Sequence, residues 1–149
     1  MKIVTNNRHP EFRRIEQLLY GINYEVWLNL YGPFDPELGL EEILKVAVSK
    51  DAQVSDVVLS SPQEARTEIM DMILYKGKIG HGPENLDEKR EEIISLVYKV
   101  LSSINIDEAG LVAAFGFRKG HPAYPVFWDF AYDVHSCGQR WIFVGSSSD

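Results

Sequence analysis

The sequence has little of what most recognisable chemistries require. One cysteine, Cys137, stands among 149 residues, so no disulfide within the chain is available and the fold must rest on its core. Zinc sites use about four ligands, in pairs spaced as C-x-x-C or H-x-x-x-H. One cysteine and the scattered His9, His81, His121 and His135 supply no such pair, so no metal and no cofactor is expected. Apolar runs stop after a few residues, whereas a membrane span takes about 20. Residues 1–8 lack the apolar stretch of a secretory leader. A cytoplasmic protein is the expectation, with no membrane partner. Basic residues are also scarce: 15 Lys and Arg face 22 Asp and Glu, for a net charge of −7. Direct nucleic-acid binding needs a basic patch that displaces counterions, so that class is set aside.

What is present is an ordinary globular composition, with 45% hydrophobic residues and no internal repeat. A chain this long buries roughly 70% of the surface it exposes when unfolded. One domain over 1–149 is expected.

Periodicity predicts a helix over 10–21, opened by Pro10 with Asn7 or His9 as cap and closed at Gly21. Phe12, Ile15, Leu18, Leu19 and Ile22 share its apolar face. Residues 24–31 alternate as a strand, with a helix as the alternative because Trp27 and Tyr31 are also apolar, and Gly32-Pro33-Phe34-Asp35-Pro36 reads as a break. A helix follows over 36–49 with Leu40, Ile43, Leu44 and Ala47 inward, then a short strand over 54–59. Ser61-Pro62-Gln63-Glu64 announces another helix, because Ser61 can cap the amide three residues on. Residues 76–83 read as a flexible loop. Its glycines match neither phosphate-binding pattern, and the loop follows a helix rather than a strand. The longest helix opens at Asn85 or Asp87 and ends near Ser103.

The last forty residues hold nine of the seventeen aromatics. Three strands are predicted there, over about 111–118, 125–135 and 139–145. With Cys137-Gly138 as a two-residue turn, Ser136 faces Gln139, His135 faces Arg140, Val134 faces Trp141 and Tyr132 faces Phe143. All large aromatics of that hairpin then fall on one face, which a one-residue slip would destroy. The fold class is therefore α+β: a C-terminal antiparallel meander packed against four helices, with one or two additional short strands. The helices are expected on one face of the sheet.

Asp129, Asp133 and His135 share the second face of the strand over 125–135, with Arg140 opposite His135. A carboxylate beside an imidazole is the minimum for acid–base work. Asp129 and Asp133 stand roughly 13 Å apart along a strand, too far for a glycosidase dyad. An Asp–Arg or His–Arg contact on a sheet face is the simpler account, and no catalytic residue is assigned. The loop 118–125 presents His121 and Tyr124 as candidate recognition residues. Carboxylates gather in two groups, from which Glu41 and Glu42, and Glu88, Glu91 and Glu92, are candidates for steering a basic partner.

The favoured expectation is thus a non-catalytic acidic protein that captures a basic protein, as an immunity or inhibitor protein captures a toxin. The alternative is a small hydrolase using His121 or His135 with Asp129 or Asp133. Self-association through the aromatic sheet is a third expectation.

Overall fold

A computed structural model describes residues 9–149. Asn7, a suggested cap, and the segment 1–8 lie outside the described residues. Helix α1 spans Pro10–Leu19, with Pro10 at its first position, where no intrahelical partner for an N–H is needed. His9 stands at the cap, but its side chain caps no helix N–H and instead meets the Glu11 carboxylate. Phe12, Ile15, Leu18 and Leu19 are buried as the period requires, whereas Ile22 is exposed. The helix stops before Gly21 because Gly21–Ile22 forms a short strand, β1.

Strand β2 covers Glu25–Phe34 and runs through the Gly32-Pro33 sequence expected to break it. The register shifts between Tyr31 and Phe34, so the glycine and proline sit in a bulge. Strand β2 is a sheet edge, and an edge tolerates a residue that cannot donate to the ladder. Helix α2 (Leu40–Ala47) and strand β3 (Gln53–Leu59) follow. Helix α3 (Pro62–Ile73) begins as expected: the Glu64 N–H donates to Ser61 Oγ at 3.1 Å. The loop after it ends in a short paired strand that its composition did not suggest. Gly82–Pro83 forms strand β4 and pairs antiparallel with β1. Helix α4 spans Leu86–Ser103, and Asp87 and Glu88 in its first turn complement the helix dipole.

Strands β5 (Leu111–Lys119), β6 (Trp128–Ser136) and β7 (Gln139–Ser148) form the expected meander. They join β2 and β3 in a five-stranded antiparallel sheet of order β2-β7-β6-β5-β3. The β6–β7 register pairs Ser136 with Gln139, His135 with Arg140, Val134 with Trp141 and Tyr132 with Phe143. Cys137 and Gly138 both hold positive φ, at 50° and 75°, as a two-residue primed turn demands.

Strand β7 outlasts its expected end by three residues. Its tail Gly145-Ser146-Ser147-Ser148 is polar, but it lies between β2 and β6, and Ser146 and Ser147 are buried. Ser147 Oγ accepts the Trp128 N–H at 3.2 Å, so polar burial there is satisfied.

Helices lie on both faces of the sheet, correcting the one-face expectation. Helices α1, α3 and α4 cover Val26, Leu28, Val112, Phe130, Tyr132, Val134 and Phe143. Helix α2 covers the other face, with Ile43, Leu44 and Ala47 against Tyr31, Phe34, Ala131, Ile142 and Val144. Helical periodicity defines a buried stripe without saying which sheet face it meets. The aromatics of the β6–β7 hairpin are enclosed within the chain's own core: Phe130, Tyr132 and Phe143 are each at most 3% exposed. Of the nine aromatics in the last forty residues, Tyr124 is the exposed one, and it lies in the loop after β5 rather than on the sheet. No helix among the described residues is long and apolar enough to cross a membrane.

Candidate functional site

The acid–base candidates of the sheet separate into two structural pairs. Asp133 and Arg140 meet diagonally across β6 and β7 on the α2 side, Asp133 lying opposite Ile142 and Arg140 opposite His135. Arg140 donates from Nε and Nη2 to the two Asp133 oxygens at 2.9 and 2.8 Å. Both residues are almost fully buried. A third donor, Nη1, bonds the Leu38 carbonyl, tying the segment before α2 to the sheet. His135 Nε2 approaches Asp133 Oδ1 at 3.3 Å. This is the Asp–Arg contact expected of a sheet face, drawn inside the protein.

His121 and Asp129 form the second pair, with Nε2 3.9 Å from Oδ2. The His121 ring packs edge-on against Phe117, and Nδ1 lies 3.0 Å from both N and O of Ala123. Burial pushes the imidazole pKa below its ordinary value, and Asp129 opposes that shift. His121 therefore braces the loop 120–127, while Tyr124, three residues on, is 88% exposed.

The five acidic candidates are not one surface. Glu41 and Glu42 stand on α2, and Glu88, Glu91 and Glu92 on α4, on opposite faces of the sheet. Two of the five are already engaged. Glu41 accepts the Val54 N–H at 3.1 Å, which holds its carboxyl below the usual carboxylate range, with Lys45 adding to the effect. Glu92 accepts two bonds from Arg14, at 2.8 and 3.1 Å, and is lowered in the same sense. Glu42, Glu88 and Glu91 are exposed and make no ion pair among the described residues.

A groove that the sequence did not single out lies between α3 and the start of β6. Its volume is about 540 Å³, within the range of ligand-sized clefts. Glu64, Glu68 and Asp71 line one wall. Their i, i+4, i+7 spacing places them on one stripe of α3 about 10 Å long. Met72, Tyr75 and Trp128 give the groove its apolar surface. Trp128 Nε1 donates to Tyr24 Oη at 2.7 Å, so the indole's one donor is spent inside the protein. Tyr75 packs with Tyr24 and Phe127, ring centroids 6.3 and 6.4 Å apart, backing the groove with aromatic mass.

One carboxylate of the wall is fixed from beneath. The Tyr132 hydroxyl, rising from β6, donates to Glu68 Oε1 at 2.5 Å. Burial, reinforced by Glu68, raises the Tyr132 pKa far above that of an ordinary phenol. The hydroxyl thus stays protonated and donating. The acidic candidates drawn from the sequence did not include Glu64, Glu68 and Asp71; their i, i+4, i+7 spacing is a signal that could have marked the stripe, whereas the apolar wall required knowing that Tyr75 and Trp128 meet beside it.

No protein-family model and no curated protein matches the sequence. The architecture does have solved counterparts. Two crystal structures of citrus MAF1 superpose with TM-scores of 0.56 and 0.54, over 93% of this chain and 98% of theirs. Identity is 12% and 10%, so what is shared is the fold.

Proposed function

We propose that this domain is a non-catalytic binding protein that captures a basic protein partner, in the manner of an immunity or inhibitor protein. The observation that carries the reading is a charge imbalance on the three-helix face. Arg14, Arg66, Lys89 and Lys99 there are each engaged within the chain, with Glu92, Asp107, the Leu18 carbonyl and Glu11. Among the described residues of those helices, the exposed carboxylates Glu64, Asp71, Asp87, Glu88 and Glu91 make no ion pair, against two exposed cations in the same state, Arg13 and Arg90. Unmatched surface carboxylates attract a cationic partner and accelerate its association. The sheet's own acid–base groups support the same reading, since Asp133 is committed to Arg140 and His121 to its loop.

The test is capture from extracts of the native cell, with wild type beside Glu88→Lys/Glu91→Lys. The expected result is a stoichiometric basic protein that elutes as salt rises. Its association with the charge-reversed variant should slow by about tenfold at low ionic strength. A partner retained regardless of salt, and equally by both proteins, would overturn the reading.

A further inference from the structure

We propose that the groove between α3 and β6 receives an arginine side chain from a segment of the partner protein. The proposal rests on the capture reading and names the chemistry of what is captured. Two kinds of surface meet in the groove: three carboxylates on the α3 stripe and the carbon surface of Met72, Tyr75 and Trp128. A ligand matched to both needs a cation on an apolar stem. Arginine fits better than lysine because its planar guanidinium stacks on aromatic faces and forks to carboxylate oxygens. Lysine offers a compact, strongly hydrated charge instead.

The carboxylates are available for this role. Glu64 and Asp71 have no cationic partner among the described residues. Glu68 takes one bond from Tyr132 on Oε1, and Oε2 has no partner among the described residues. That bond comes from a rigid sheet residue and sets the carboxylate before any ligand arrives, which lowers the ordering cost of binding. Tyr132 is thus a positioning residue for the groove.

The probe is a short acetylated peptide amide with one arginine between leucines, compared with the same peptide carrying uncharged citrulline. The readout is the indole N–H resonance of Trp128, assigned with Trp128→Phe, followed by ¹H–¹⁵N NMR. A saturable shift is expected, with a Kd of about 1 mM for so small a ligand. Citrulline should bind at least about fivefold more weakly, and Glu68→Gln/Asp71→Asn should weaken the arginine peptide by a similar factor. Tyr132→Phe should weaken it by about threefold, with unchanged saturation and an unchanged far-UV spectrum. Glu88→Lys/Glu91→Lys should leave the shift intact. Absence of a saturable shift, or equal binding of citrulline, overturns the arginine assignment.

The two proposals fail separately. A native basic partner held normally by Glu68→Gln/Asp71→Asn overturns the groove as its seat and leaves salt-dependent capture standing. A groove that binds the peptide, in a protein that captures nothing basic, does the reverse.

Discussion

Replacing Arg140 by Met strands a charge. Asp133 is 5% exposed, and its two oxygens receive the guanidinium at 2.9 and 2.8 Å. Methionine keeps most of the arginine's volume but donates nothing, so the carboxylate stays buried without its counter-ion. Breaking a buried pair in this way typically costs about 3–5 kcal/mol. The Leu38 carbonyl loses its donor as well, which adds to the loss. Urea unfolding followed by tryptophan fluorescence and far-UV dichroism measures it. With an m-value of roughly 2 kcal/mol/M, the midpoint should fall by about 2 M. The double variant Asp133→Leu/Arg140→Met removes both charges and should recover much of the deficit, because a buried pair replaced whole is often nearly neutral. A single-variant loss below about 1 kcal/mol would refute the reasoning, since it would place the pair in effective contact with solvent.

Other substitutions test other parts of the fold. Gly145→Ala adds a methyl that would meet the Phe130 ring at 2.5 Å and Leu28 Cδ2 at 2.8 Å. Overpacking of that kind costs about 1–3 kcal/mol, so the melting temperature should drop by about 2–4 °C for each kcal/mol. Cys137→Asn places the favoured residue at the first turn position, where φ is 50°. It should raise stability by about 0.5 kcal/mol in urea titration, since the Sγ–Glu108 contact it removes is solvent-exposed. Because burial depresses the folded pKa of His121, the unfolded chain binds more protons below pH of about 6.5. Stability should therefore fall as pH drops from about 6.5 toward the folded pKa, and His121→Gln should flatten that slope in unfolding titrations.

The hairpin was the most legible part because two constraints agreed. Alternation fixed the faces, and the Cys137-Gly138 spacing fixed the register, which the structure reproduces pair by pair. The α3 cap was legible for a similar reason: Ser61, Pro62 and Glu64 act within one turn. What escaped depended on distant partners. The tail of β7 reads as a polar loop until β2 and β6 enclose it. Gly32-Pro33 reads as a break until the strand is known to be an edge. At the candidate site, Glu41 and Glu92 were legible as carboxylates but not as groups bound to Val54 and Arg14. The groove was hidden because Tyr75 and Trp128 are 53 positions apart and each reads locally as core.

The sheet order carries a consequence for how the chain reaches this structure. Only β5, β6 and β7 are neighbours in both sequence and space. Strand β2 pairs Val26 with Ser147, and β1 with β4 joins Gly21 to Pro83. Closing such long loops costs entropy before any contact rewards it. The meander is therefore the natural nucleus, and β2 docks late, after its partner strand has been made and positioned. Until then Val26, Leu28 and Tyr31 have no ladder to protect them. During synthesis the early part of the chain must wait for its last strand, a delay in which the unpaired β2 is exposed to aggregation.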